Sequence, residues 1–103
     1  MNILAETDSF RLVKSTTKDG VNYYDIYTVP HSEMEQNGIE LVLSTPYINS
    51  ITEPGDYKPT ELYFRVGDSL NRPNLARYIE LLKEAGEFAE LVSKALNVPF
   101  ANK

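Results

Sequence analysis

The chain contains no cysteine, no tryptophan and a single histidine among its 103 residues. The absence of cysteine excludes disulfides and thiolate metal sites, and it is compatible with a reducing cytoplasm. No stretch approaches the roughly 20 apolar residues of a membrane span, and the N-terminus lacks the basic start and apolar run of a signal peptide. We therefore expect one cytoplasmic domain over residues 1–103, a length that suffices to bury a core without covalent staples.

The sequence also lacks a glycine-rich phosphate loop and a second histidine. The group closest to a metal or acid–base site is His31 with Glu33 and Glu35, which lie together on one short segment. One histidine with two flexible acids seldom makes a tight metal site, and only His31 or a lysine could activate a serine nucleophile. We expect no enzyme, no metal and no cofactor. A small enzyme that uses these three residues is the alternative.

The charge is distributed unevenly along the chain. Residues 1–70 hold eleven acidic and five basic side chains, a balance of −6, whereas residues 71–103 hold four acidic and five basic ones, a balance of +1. An acidic surface repels phosphate backbones and attracts basic surfaces. The charge therefore favours a partner with a basic surface over direct contact with nucleic acid, and without an apolar span we expect no contact with a membrane.

The last third of the chain predicts one long amphipathic helix over residues 72–97. Asn71 is a suitable cap and Pro73 fits the first turn, while Asn97 can adopt the left-handed conformation and Pro99 prevents continuation. Gly86 costs about 1 kcal/mol relative to alanine in mid-helix. It either forms a small-residue strip with Ala89 and Ser93 for close approach to a sheet, or breaks the helix into a hairpin. The apolar stripe keeps its phase across Gly86, which favours a continuous helix.

The apolar stripe of this helix spans roughly half of its circumference, more than one sheet contact requires. A flank of Leu81, Phe88 and Leu91 accounts for the extra width. Loops or termini cover this flank, with Tyr47, Ile48 and Ile51 of the 45–59 connection as candidates, or the flank is a homodimer or partner surface. The centre of the stripe consists of Tyr78, Ile79, Leu82, Ala85, Ala89, Val92 and Leu96.

Alternating apolar residues predict four strands, over residues 9–15, 21–29, 39–44 and 60–66. Asp19-Gly20 is typical of a hairpin between the first two. Ser32 and Glu35 have capping-box spacing, which favours a short helical turn before the third strand over an irregular loop. The order ββββα indicates an α+β fold with one four-stranded, mostly antiparallel sheet packed on the helix. The predicted inward residues are Phe10, Leu12, Tyr24, Ile26, Leu41, Leu43, Leu62, Phe64 and Val66.

The outward face of this sheet is the best candidate for a binding surface, because tyrosine and arginine are favoured at interface hot spots. Tyrosines can also stack the bases of a single strand, so a single-stranded nucleic-acid binder that uses Tyr23, Tyr27 and Tyr63 is the alternative. Acidic residues on the same face favour a protein partner. In the simplest interpretation the tyrosines are only good strand formers. The candidate partner-binding residues are Tyr23, Asp25, Tyr27, Glu40, Glu61, Tyr63 and Arg65.

The sharpest functional hypothesis is a small acidic inhibitor that offers carboxylates to the basic groove of a nucleic-acid-handling protein. Phage or mobile-element inhibitors of host defence enzymes, anti-CRISPR proteins among them, often have this size and charge. The likeness is one of type and rests on no motif. The alternative is an acidic surface that only aids solubility. The candidate carboxylates are Asp25, Glu33, Glu35, Glu40, Glu53, Asp56 and Glu61.

Overall fold

A computed structural model describes residues 1–45, 53–67 and 74–101. This part of the chain forms a mixed α+β fold with one long C-terminal helix, so the predicted class is confirmed. Its elements are β1 (Asn2–Glu6), β2 (Phe10–Thr16), β3 (Val21–Thr28), α1 (Glu33–Gln36), β4 (Ile39–Ser44), β5 (Gly55–Asp56), β6 (Glu61–Val66) and α2 (Leu75–Leu96).

The helix α2 is continuous through Gly86 and ends as the sequence predicts. Asn97 has φ 55° and ψ 50°, the left-handed conformation that stops a helix. At the other end the cap is Asn74, whose side-chain oxygen accepts a hydrogen bond from the Arg77 N–H at 3.1 Å. The predicted start at Asn71 and Pro73 lies outside the described residues.

The predicted strands correspond to β2, β3, β4 and β6, with ends within one residue of those observed. The hairpin between β2 and β3 closes through Thr17, whose N–H donates to the Val21 carbonyl at 2.9 Å, and Gly20 turns the chain with φ 81°. The predicted helical turn is α1, where the Ser32 hydroxyl accepts from the Glu35 N–H at 3.3 Å. Local sequence signals therefore predict these turns correctly.

The prediction of one mostly antiparallel sheet is wrong in two respects. The strands form a curled four-stranded sheet, in the order β1-β2-β3-β5, and a separate antiparallel pair of β4 and β6. The four-stranded sheet is mixed, because β5 pairs parallel to β3 through Val21 with Gly55 and Asn22 with Asp56. The physical reason is that β5 has only two residues and is too short to show a strand pattern, so its sequence reads as a turn.

The first strand, β1, is absent from the prediction. It pairs antiparallel with β2 at the edge of the sheet, with an irregularity in register between Ile3 and Ala5. Ala5 is half-buried, whereas the other four residues of β1 are exposed. An edge strand that buries so little has no need for alternating apolar residues, which is why its sequence shows no period of two.

A single cluster of buried side chains joins both sheets to α2. Phe10 of β2 and Phe88 of α2 meet in it with ring centroids 5.4 Å apart. The buried face of α2 contains four residues of the predicted centre together with Leu81 and Phe88, whereas Ile79 is 45% exposed; the four are Ala85, Ala89, Val92 and Leu96. The chain's own core thus covers two of the three flank residues, and Leu91 stays exposed.

The buried faces of the strands follow the predicted alternation except at β6, Val13 and Val21, which is 4% exposed although alternation puts it on the outer face. Phe64 and Val66 were expected inside but are 46% and 54% exposed. They lie at the end of a two-stranded sheet, and Phe64 lines a hollow beside Gly86 of α2, which has no side chain to cover it. Val13, expected outside, is only 2% exposed.

The explanation of Gly86 by close packing is also wrong. A Cβ atom built at Gly86 has no heavy atom within 4 Å beyond its own helix, so the sheet does not require a glycine at this position. Ser93 is the third member of the proposed small-residue strip. Its hydroxyl donates to the Val98 carbonyl at 2.6 Å and so ties the segment that follows α2 to the helix.

We expect Leu81→Ala to lower the free energy of unfolding by about 2–5 kcal/mol, because it removes buried side-chain volume from the core. Leu91→Ala, at an exposed position on the same helix, should change it by less than about 1 kcal/mol. Urea denaturation of the two variants and the wild type measures the difference. Equal losses would contradict the placement of the helix.

Gly86→Ala should raise the free energy of unfolding by up to about 1 kcal/mol, because alanine favours a helix and its Cβ meets no neighbour. Gly20→Ala is the control in the opposite direction. Its φ of +81° and a contact of 3.3 Å with the Pro54 Cβ make any side chain there strained. Thermal and urea denaturation of both variants would show the opposite signs, and a loss of stability in Gly86→Ala would refute the first expectation.

Candidate protein-binding surface

The outer face of β3 carries three of the candidate residues. The β2–β3 register places Tyr23 opposite Ser15, Asp25 opposite Val13 and Tyr27 opposite Arg11. Tyr27 is 48% exposed, whereas Tyr23 is half-buried. The burial of Val13 on this face shows that its centre is packed, so the face is more than a row of solvated side chains.

The other four candidates lie on the outer face of β4 and β6. Their register pairs Glu40 with Arg65 and places Val42 opposite Tyr63 and Ser44 opposite Glu61. The Arg65 guanidinium binds Glu40 through Nη2 at 2.6 Å and Nε at 2.7 Å from the same carboxylate oxygen. The only arginine of this pair of strands therefore already has a carboxylate partner on the neighbouring strand.

The two outer faces meet where β3 and β4 run side by side. A shallow cavity of about 270 Å³ lies at this seam, and Asp25, Tyr27, Glu40 and Arg65 all line it. Tyr63, Glu61 and Tyr23 belong to the same faces but lie outside this cavity. The fold thus brings four of the seven candidate residues into one depression.

Asp25 is the electrostatically distinct member of this surface. Partial burial raises the pKa of its carboxyl above the ordinary value for aspartate. It forms no ion pair within the described part of the chain. Its carboxylate is therefore available to a cation that a partner brings.

A second concave surface, which the sequence reading missed, lies between β6, α2 and the end of the chain. We call it the β6 groove; it has a volume of about 390 Å³ and none of its lining side chains is charged. Its lining residues are Leu41, Leu62, Tyr63, Phe64, Gly86, Ala89, Phe100 and Ala101.

Two sequence features could have indicated the β6 groove. Phe64 continues the apolar alternation of β6. Gly86 stands among residues that favour a helix, and the packing of the helix does not require a glycine there. A glycine opposite an apolar strand leaves a hollow rather than a contact. A mid-helix glycine is also compatible with a break in the helix or with close packing, so the sequence alone does not identify the groove.

Leu91, the exposed member of the predicted flank, lines a separate cleft of about 330 Å³. Phe10 and Phe88 also line it, and Asp8, Glu84 and Glu87 supply carboxylates. Because this cleft combines apolar side chains with carboxylates, it suits neither a hydrophobic partner helix nor an anion. The cleft therefore gives no support for a dimer through Leu91.

In the group of His31, Glu33 and Glu35, both carboxylates accept hydrogen bonds that stabilise the fold. Arg77 of α2 binds Glu33 with two hydrogen bonds, from Nη2 at 2.7 Å and from Nε at 2.9 Å, and so ties α1 to α2. The Glu35 carboxylate accepts from the backbone N–H of His31 at 3.1 Å. Within residues 1–45, 53–67 and 74–101, no cluster of three or more histidine and acidic side chains could hold a metal ion.

The hydrogen bonds from Arg77 lower the pKa of Glu33 below its ordinary value. A carboxyl with a lowered pKa in the folded state stabilises the fold above the pKa of the unfolded chain, and this contribution disappears as pH falls through the lowered value. Glu33→Gln should therefore be less stable than wild type at pH 7, and the difference should vanish in acid. Denaturant unfolding at several pH values measures this, with Glu87→Gln as the control because no described residue pairs with Glu87. A difference that persists at low pH would refute the assignment.

No helix in the described ranges is long and apolar enough to cross a membrane. Comparison with known proteins found no matching family model, no matching curated protein and no matching solved structure.

Proposed function

We propose that the chain is a non-enzymatic protein-binding module whose contact surface is centred on β6. One observation carries the proposal: β6 is exposed on both of its faces. Tyr63 is exposed on the outer face, and Phe64 and Val66 are exposed on the inner face. A strand that presents aromatic side chains on both faces of a small domain is typical of a surface that a partner covers.

The outer face adds polar specificity to this surface. Tyr27, Asp25 and the Glu40–Arg65 pair offer hydroxyl, carboxylate and guanidinium groups around a shallow depression, and Tyr63 lies on the same outer face beside it. Hot spots in protein interfaces favour such aromatic and arginine anchors surrounded by residues that exclude water.

The charge indicates the kind of partner. Asp25 and Glu61 form no ion pair within the described residues, whereas the nearby guanidinium of Arg65 is paired with Glu40. Unpaired carboxylates steer a basic protein surface toward this face and repel phosphate groups. The finer proposal is therefore an acidic inhibitor, of the phage or mobile-element type, that occupies the nucleic-acid groove of its target.

Affinity capture from the native host with matched variants tests the proposal. Phe64→Ser and Tyr63→Ala should each reduce retention of the partner by about tenfold or more, as expected for a hot spot. Leu91→Ser is the control, because Leu91 and Phe64 are both 46% exposed. Retention that is equal in all four proteins would refute a surface centred on β6.

The inhibitor version is tested with the captured partner. The double variant Asp25→Asn and Glu61→Gln should slow association and weaken its dependence on salt, because it removes two unpaired charges. The partner should also release nucleic acid when the wild-type protein is added. Direct retardation of an oligonucleotide by the protein alone, lost in Tyr63→Ala, would instead support a single-strand binder.

A further inference from the structure

The last described residues of the chain lie against one edge of β6. The Leu62 N–H donates to the Pro99 carbonyl at 3.0 Å, and the Leu62 carbonyl accepts from the Ala101 N–H at 2.8 Å. These bonds form a parallel bridge between Leu62 and Phe100. We call residues 98–101 the tail; it covers the first part of this edge and shows that the edge can accept a parallel strand.

The same edge continues beyond the tail. The Gly67 N–H donates to the Gly38 carbonyl at 2.8 Å, which sets the phase of the β4–β6 ladder. Because the ladder repeats every two residues, the N–H and C=O groups of Phe64 and Val66 point the same way as those of Leu62, away from β4. Within the described chain, no hydrogen bond reaches these four groups.

The β6 groove lies beside this open edge. Phe64 and Phe100 form two of its walls, and Gly86 leaves space where any other residue would place a side chain. The volume of about 390 Å³ can accept at least one large apolar side chain. An occupant that satisfies both features must supply an extended main chain for the edge and an apolar side chain for the groove.

Two other occupants fit this geometry less well. Nucleic acid is disfavoured because no cationic side chain lines the groove. A second copy of the chain would have to pair two antiparallel β6 edges through Phe64 and Val66, since the tail covers Leu62. Such pairing places Arg65 of each copy opposite the other, and like charges directly opposite across strands are destabilising.

We propose that a partner protein binds by adding an extended segment as a further strand along Phe64 and Val66, with one apolar side chain in the β6 groove. This inference rests on the proposed function and specifies the chemistry of the partner. The segment is short and uncharged on the side that faces the groove. Its next side chain lies on the outer face, beside the Glu40–Arg65 pair.

A displayed library of random linear peptides, selected on the full chain, tests this binding mode. Selected peptides should carry an apolar residue at one fixed position. Gly86→Leu should weaken their binding by about tenfold or more, because leucine fills the groove, whereas Gly86→Ala should change it by less than about threefold. A Cβ at this position meets no neighbour and both residues favour a helix, so both variants should fold.

Amide hydrogen exchange, followed by NMR, supplies a second readout specific to the strand edge. The Phe64 and Val66 amides should exchange rapidly in the free protein and become protected when a synthetic copy of a selected peptide is bound. The amide of Leu62, already bonded to Pro99, is the internal control and should be protected throughout.

Several outcomes would overturn this inference. In the free protein, the Phe64 and Val66 amides would be protected, or sedimentation would show a dimer that depends on Phe64. In the selection, no peptide would bind above background, or the selected peptides would bind Gly86→Leu as well as they bind wild type. If any of these occurs while the natural partner is still lost on Tyr63→Ala and Phe64→Ser, only the strand-addition mode fails. If one of these outcomes occurs and Tyr63→Ala and Phe64→Ser also retain the natural partner, the proposed function fails as well.

Discussion

One helix has to cover the inner faces of two separate sheets, and the rest of the structure depends on this constraint. Leu81, Ala85 and Val92 are the most deeply buried residues of the helix, and Phe10 meets Phe88 from the larger sheet. The breadth of the apolar arc of α2 is explained by this double contact. Because a single helix has limited width, its cover ends near Gly86, and the inner face of β6 stays partly open.

Most of the local structure could be predicted from the sequence because its signals are local. The hairpin at Gly20, the cap at Ser32 and the left-handed Asn97 each require particular residues at particular positions. The division into two sheets could not be predicted, because it depends on which strand edges meet across long connections. β1 and β5 could not be predicted because neither has a periodic pattern. β1 is an exposed edge strand, and β5 has only two residues.

The candidate surface was predicted in part. The alternation of β3, β4 and β6 correctly places Tyr27, Tyr63 and Arg65 on an outer face, because period two is a property of any strand. The β6 groove was not predicted, since it depends on the absence of a side chain at Gly86 opposite Phe64. Outer face and groove share one strand, so a partner that contacts Tyr63 is already close to Phe64. Both surfaces therefore belong to one hypothesis about binding.

An unpaired strand edge beside exposed apolar side chains is also a starting point for uncontrolled aggregation. Here the tail shortens that edge, and Arg65 interrupts the two apolar residues Phe64 and Val66 with a charge. Short edges and interspersed charges are the devices by which natural β proteins avoid fibril-like stacking. The tail thus occupies the N–H and C=O groups of Leu62, and shortening the chain before Phe100 would extend the open edge from Phe64 and Val66 to Leu62 as well.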